Sequence, residues 1–145
     1  MTLVSRLVAV FILIGSAWPA LAGDPPPVEA ADKAAIRQVI QSQIDAFQKD
    51  DGDAAFAFAT EALRKRFGNA RTFMEMVRNG YQPVYRPSQV TYGGIDRTDG
   101  ATVQHVLVVG PDGNLHEALY FMEHEQDGKW LIDGCLLLRS EQKTS

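Results

Sequence analysis

The stretch NLHEALYFMEHEQDGKWLIDGCLLL, from Asn114 to Leu138, is the feature that most restricts what this chain can become. Two half-apolar runs flank Asp127-Gly128, a dipeptide that supplies the positive φ angles of a tight type I′ hairpin turn. Leu119, Tyr120 and Phe121 in the first run, with Trp130, Ile132 and Leu136 in the second, suit a pleated and half-buried surface. A two-residue loop pairs Gln126 with Lys129, Met122 with Asp133 and Tyr120 with Cys135. Asp133 then has Tyr120 and His124 as diagonal neighbours on one face, bringing an acid, a phenol and an imidazole within reach of one another. A loop longer by one residue would shift the pairing by one and separate these groups onto opposite faces.

The chain opens MTLVSRLVAVFILIGSAWPALAG, with one basic residue (Arg6), an apolar run from Leu7 to Ile14 and the small-residue site Ala20-Leu21-Ala22. This order is that of a secretory signal, with cleavage expected between Ala22 and Gly23. The apolar run is too short to span a bilayer, so a secreted or periplasmic protein with no stable membrane span after cleavage is expected. The division that follows is a signal over 1–22, a proline-rich tether over 23–31, one domain over 32–140 and a tail over 141–145. Acidic residues number 18 against 14 Lys and Arg, and the one basic cluster is the short Arg64-Lys65-Arg66. Nucleic acid is therefore excluded as the main partner, because neutralising phosphates takes clustered positive charge. Cys135 is the single cysteine, so no intramolecular disulfide forms, and a thiol among strand apolars reads as a small core residue.

Three consecutive prolines, Pro25 to Pro27, make the tether extended and solvated. Asp32 is placed to cap a helix over Asp32 to Lys49, whose Ile36, Ile40, Ile44 and Phe47 recur along one face. Asp53 is a second capping candidate, opening one helix to Gly68 with Phe56, Ala59, Leu63 and Phe67 on its stripe. A third helix, Ala70 to Asn79, offers Phe73, Met74 and Val77, and Tyr81 to Pro87 reads as an extended connector. Everything beyond is strand. Gln89 to Ile95 is interrupted by Gly93-Gly94 at a bulge, Asp99-Gly100 turns into Thr102 to Val109, and Pro111-Asp112-Gly113 fits a type I turn with a glycine bulge. Helices first and four antiparallel strands afterwards predict an α+β domain with the helices packed on one face of a curved, cone-like sheet.

That element order, ending in Asp127-Gly128-Lys129-Trp130-Leu131-Ile132, resembles the nuclear transport factor 2-like, or cystatin-like, α+β cone superfamily. Within it the chain is similar to a group of small exported bacterial proteins of unknown function. The resemblance implies the fold and no functional residue, since none of the superfamily's catalytic motifs matches position by position.

His105, His116 and His124 lie on strands without the spacing of a zinc site, and the phosphate-loop and nucleophile-elbow motifs are absent from the sequence. No metal and no cofactor is implied. The reading that follows is a module binding a small apolar ligand or an envelope protein without catalysis, with Asp133, Tyr120, His124, Phe47 and Tyr81 as ligand-facing residues. Ile36, Ile40, Ile44 and Phe47 would face the sheet, and Phe73, Val77 and Tyr81 would close the open end of an apolar cavity. A homodimer is expected from the last hairpin, whose two faces are both apolar: Leu119, Phe121, Ile132 and Leu136 on one, Tyr120, Met122, Leu131 and Leu137 on the other. The alternative is an isomerase, dehydratase or hydrolase acting on a small apolar substrate. There Asp133 would be the general base, its pKa raised by desolvation, and Tyr120 or His124 the hydrogen-bond donor.

Overall fold

The computed structural model describes residues 26–139; the expected signal, the first part of the expected tether and the tail lie outside them. Helix α1 runs Ala30–Gln48 and buries Ile36, Ile40, Ile44 and Phe47 along one stripe. Each such side chain contributes roughly 1.5–3 kcal/mol by leaving water, which is what docks the helix on the sheet. The helix begins two residues earlier than the spacing predicts, and Asp32 is not its cap. Glu29 occupies that position without a side-chain bond, while Asp32 accepts from the Trp130 indole N–H at 3.0 Å and ties the first turn to the last strand. The end of the tether also packs: Val28 is buried in the main core cluster.

The helix expected after Asp53 is two. Helix α2, Gly52–Ala57, is capped by Asp51, and α3, Glu61–Phe67, is capped by Thr60, whose hydroxyl oxygen accepts from the Leu63 N–H at 3.2 Å. Between them Ala59 forms a parallel bridge with Ile132 on the free edge of the sheet. The Ile132 N–H donates to Phe58 O at 2.8 Å, and the Thr60 N–H donates to Ile132 O at 2.9 Å. Helix propensity of the alanines yields here to an unpaired strand edge that needs backbone partners.

Helix α4, Ala70–Gly80, starts at the predicted place with Asn69 as its cap. The connector after it is not extended: Gln82–Tyr85 forms one helical turn, α5, because Pro83 stands in the first turn, where its missing N–H costs nothing. Arg86 fastens this turn to the end of α1. Its guanidinium donates to the Phe47 carbonyl, pairs with Asp50 at 2.9 Å and lies 4.0 Å over the Tyr85 ring, whose hydroxyl also donates to Asp50. That hydroxyl first, and then the Arg86 and Arg78 charges, hold the Asp50 carboxyl below its usual pKa.

The strands β1 (Gln89–Thr98), β2 (Ala101–Val109), β3 (Leu115–His124) and β4 (Trp130–Arg139) form an open antiparallel sheet in that order. The expected bulge is present: Gly93 and Gly94 together oppose His105, and the buried Gln104 amide nitrogen holds their carbonyls at 3.0 and 3.1 Å. Asp99 and Gly100 both take positive φ, as a type I′ turn requires, and Gly113 closes the second turn as predicted.

The last hairpin departs from expectation at its loop. At the Asp127-Gly128 corner only Gly128 has positive φ, and the Gly128 N–H donates to Glu125 O, so the corner is a type I turn with a glycine bulge. Pairing near the loop is therefore shifted by one residue, with Met122 opposite Ile132 rather than Asp133. A bulge at Asp133 absorbs the shift, and Tyr120 meets Cys135 as expected. The bulge also moves Ile132 from the outer to the inner face, where it joins Tyr120 and Met122 in the core.

Candidate functional site

The stripe of α1, the inner faces of β3 and β4, and helices α3 and α4 surround a partly open cavity of about 320 Å³. Phe47 enters it from α1, Leu63 and Phe67 from α3, and Phe73, Met76 and Val77 from α4. Tyr120, Ile132 and Cys135 supply the sheet wall. Aromatic contacts hold the rim in place, with Phe73 in the middle, 6.1 Å from Phe47 and 5.5 Å from Phe67 between ring centres.

Few polar groups face this space. Tyr81 reaches across from the end of α4, and its hydroxyl is spent on the Cys135 carbonyl at 3.0 Å, so it acts as a strut between helix and sheet. Gln43 is buried on the α1 stripe, with its amide nitrogen donating to Ala55 O at 3.1 Å. The Tyr120 side chain is 1% exposed, and its hydroxyl has no hydrogen-bond partner among the described residues. Burial, and secondarily the neighbouring Cys135 thiol, push its pKa well above the ordinary phenol value. Burial likewise pushes the Cys135 thiol up to about 12. Both groups stay protonated at neutral pH, so neither is a ready nucleophile or base. Arg66 is the one charged side chain in the wall. It is exposed at the mouth and has no acidic partner among the described residues.

Of the residues singled out from sequence, Phe47, Tyr81 and Tyr120 line the cavity, whereas Asp133 and His124 do not. Asp133 is exposed on its bulge and accepts from the Thr60 hydroxyl at 2.7 Å. His124 lies at the exposed end of β3, stacked on Trp130 with ring centres 4.5 Å apart. The acid, phenol and imidazole are thus distributed over three settings, because the longer turn moves Asp133 out of the pairing on which their grouping depends. Gln43 and Arg66 are lining residues that the sequence reading passes over. Gln43 had a signal: it falls three residues after Ile40 and four before Phe47, a polar residue on an apolar stripe.

The family model described as a domain of unknown function, DUF4864, matches residues 29–145. The chain belongs to the DUF4864 family. The match covers every element of the DUF4864 fold described above. Among curated proteins, the DUF4864 chain is 26% identical over 108 residues to ATP-dependent 6-phosphofructokinases of Lactococcus lactis subsp. lactis (strain IL1403) and subsp. cremoris (strain SK11). These alignments take in 70% of the chain but only 31% of each enzyme. The chain spans about a third of the relatives' length, and likeness at this level carries no enzymatic activity to it. No solved structure matches the chain. Among the described residues, no helix is long and apolar enough to cross a membrane.

Proposed function

We propose that this chain is a binding module of the cell envelope, exported after cleavage between Ala22 and Gly23, that holds a small apolar ligand between α1, α4 and the sheet without transforming it. The observation that carries the reading is the cavity: about 320 Å³, apolar on most sides and within the size range of small-molecule sites. Its helix-then-meander frame supports kinship with the nuclear transport factor 2-like cones. The enzyme alternative needs Asp133 against the substrate, and that carboxylate instead accepts from Thr60 outside the cavity wall. Native mass spectrometry of protein purified from its own cell envelope tests the reading. A retained small molecule, lost when Val77→Phe fills the cavity, is the expected result; protein that retains nothing and shows no thermal shift with any small apolar probe would overturn it.

A second reading, compatible with the first, is pairing with another copy of the chain. Leu107, Leu136 and Leu138 remain 40%, 47% and 41% exposed on the outer sheet face, opposite the helices. Two such faces packed sheet on sheet would cover these leucines together. Light scattering at high micromolar concentration should give twice the chain mass, and Leu136→Lys should return it to one. A monomer throughout would end this reading.

A further inference from the structure

We propose, resting on the ligand-binding reading above, that the ligand is a neutral one-ring alcohol or phenol whose hydroxyl donates to Gln43 Oε1 while its apolar body lies against Phe47, Phe73 and Val77.

Gln43 stands one turn before Phe47 on the buried stripe of α1, lines the cavity and is 3% exposed. An amide on such a stripe costs stability unless both of its ends are paired. One end is paired: the nitrogen donates to Ala55 O at 3.1 Å, which also fixes which amide atom is the oxygen. Oε1 receives no hydrogen bond among the described residues, yet it is not shut away as the Tyr120 hydroxyl and the Gln104 oxygen are. The space this side chain lines is the cavity, so an acceptor stands there without a donor from the protein.

The other polar groups of the wall leave that oxygen uncontested. The Tyr81 hydroxyl is spent on the Cys135 carbonyl, and the Tyr120 hydroxyl lies against the Cys135 thiol, closed off from the cavity. Arg66, the one charged residue of the wall, is exposed at the mouth, so a charged group carried in as far as Gln43 would be buried without a counter-ion. A hydroxyl has one hydrogen to give and rotates to give it, whereas an amine would leave its second hydrogen unpaired. The volume of about 320 Å³, at about 30 Å³ for each water-sized group, accommodates on the order of ten non-hydrogen atoms. A ring of that size packs offset or edge-on against the tilted rings of Phe47, Phe67 and Phe73.

Calorimetric titration with 4-propylphenol, 4-propyltoluene and 4-propylanisole tests the donor. The first two match in size, and the third keeps the oxygen without its hydrogen. Buried with no partner, the phenol would bind about tenfold more weakly than the toluene, because its hydroxyl leaves water for nothing. With Gln43 accepting, it should bind the parent at least as tightly as the toluene and more tightly than the anisole. Gln43→Met removes the acceptor at similar side-chain length and should weaken the phenol about tenfold while the toluene keeps its affinity. On the parent itself, the side-chain amide NMR signals of Gln43 should move with the phenol and not with the toluene, which decides the matter even where the variant fails to fold. A phenol weaker than the toluene or no tighter than the anisole, Gln43 signals indifferent to it, or a phenol affinity that Gln43→Met leaves intact would overturn this assignment while the binding reading stands. Binding of none of the three would overturn both.

Discussion

On the inner face of the sheet Val106, Val108, Ala118 and Tyr120 are 0–1% exposed beneath α1, while on the outer face Leu107, Leu136 and Leu138 remain 40–47% exposed around a charged centre. That centre is His105, with Nδ1 2.6 Å from Glu117 and Nε2 2.9 Å from Asp96. The two faces come from the same strands, one residue apart, so their difference reflects what covers them and not what the strands prefer. Inner residues are held by helices and carry the stability of the domain. Outer leucines have no covering element among the described residues, so their apolar character needs a reason other than the core.

Substitutions should divide along the same line. Phe47→Ala should cost about 3–5 kcal/mol through the cavity it leaves, because Phe47 is 2% exposed and packed against Phe73 and Tyr85. Leu136→Ala, measured at concentrations low enough to exclude self-association, should shift stability by no more than about 0.5 kcal/mol. Denaturant midpoints of the two variants compare them directly. Similar losses at both positions would mean that the outer face supports the fold as much as the inner one does, and the contrast would fail.

The seam between the faces is the bulge at Asp133, and Thr60 holds it. Thr60→Val removes both the hydrogen bond to Asp133 and the cap of α3. The expected loss is about 1–2 kcal/mol, typical of a deleted threonine cap with one further side-chain bond. Hydrogen exchange should localise the loosening to the Thr60 and Ile132 N–H groups, which bond across this seam. Protection unchanged at both would show that the bulge stands without Thr60.

Much of this frame was legible from residue spacing. The α1 stripe, the Gly93-Gly94 bulge, two of the three turns and the helices-then-strands order all follow from local pattern, because apolar periodicity and glycine conformation act over a few residues. The features that escaped depend on distant partners. Asp32 is a good cap by local rules, yet its oxygen is taken by Trp130, far along the chain. The alanine-rich segment after Asp53 is a good helix by propensity, yet it breaks where Ile132 offers it an edge. Asp-Gly occurs at two hairpin corners with different outcomes: type I′ at Asp99-Gly100 and type I with a bulge at Asp127-Gly128. The same dipeptide permits both. The candidate site inherited that ambiguity: the grouping of Asp133 with Tyr120 and His124 rested on register, whereas Phe47, Tyr81 and Tyr120 reached the cavity through stripe and pairing alone.

A smaller effect separates the faces by pH. The Glu117 hydrogen bond first, and then Asp96, raise the His105 pKa above its ordinary 6.5. A histidine whose folded pKa is raised adds stability that is fully present below the unfolded value, near 6.5, and is lost as pH rises through the folded value. The outer face should therefore weaken gently from about pH 6.5 upward, by an amount kept small by solvent exposure and salt. Unfolding midpoints of the parent across pH 5.5 to 8.5 should carry that slope, and His105→Gln should flatten it. A variant with the parent's slope would assign the pH dependence to other groups.

The smallest expected effect is that of Asp133→Asn, and it bears on both structure and chemistry. Asparagine keeps an oxygen that can accept from the Thr60 hydroxyl, and the position is exposed, so removing the charge leaves the bulge its principal contact. Stability should change by no more than about 0.5 kcal/mol, as for other exposed substitutions. Binding of a small apolar probe in the cavity should not change either, since Asp133 is absent from the cavity wall. A general base would respond in the opposite way: the same substitution would abolish turnover while sparing both fold and affinity. Asp133→Asn therefore separates the two roles when stability, affinity and turnover of any substrate are measured on one preparation. A variant that keeps fold and affinity but loses a measurable reaction would return Asp133 to the chemistry and move the working site from the cavity to the edge of the sheet.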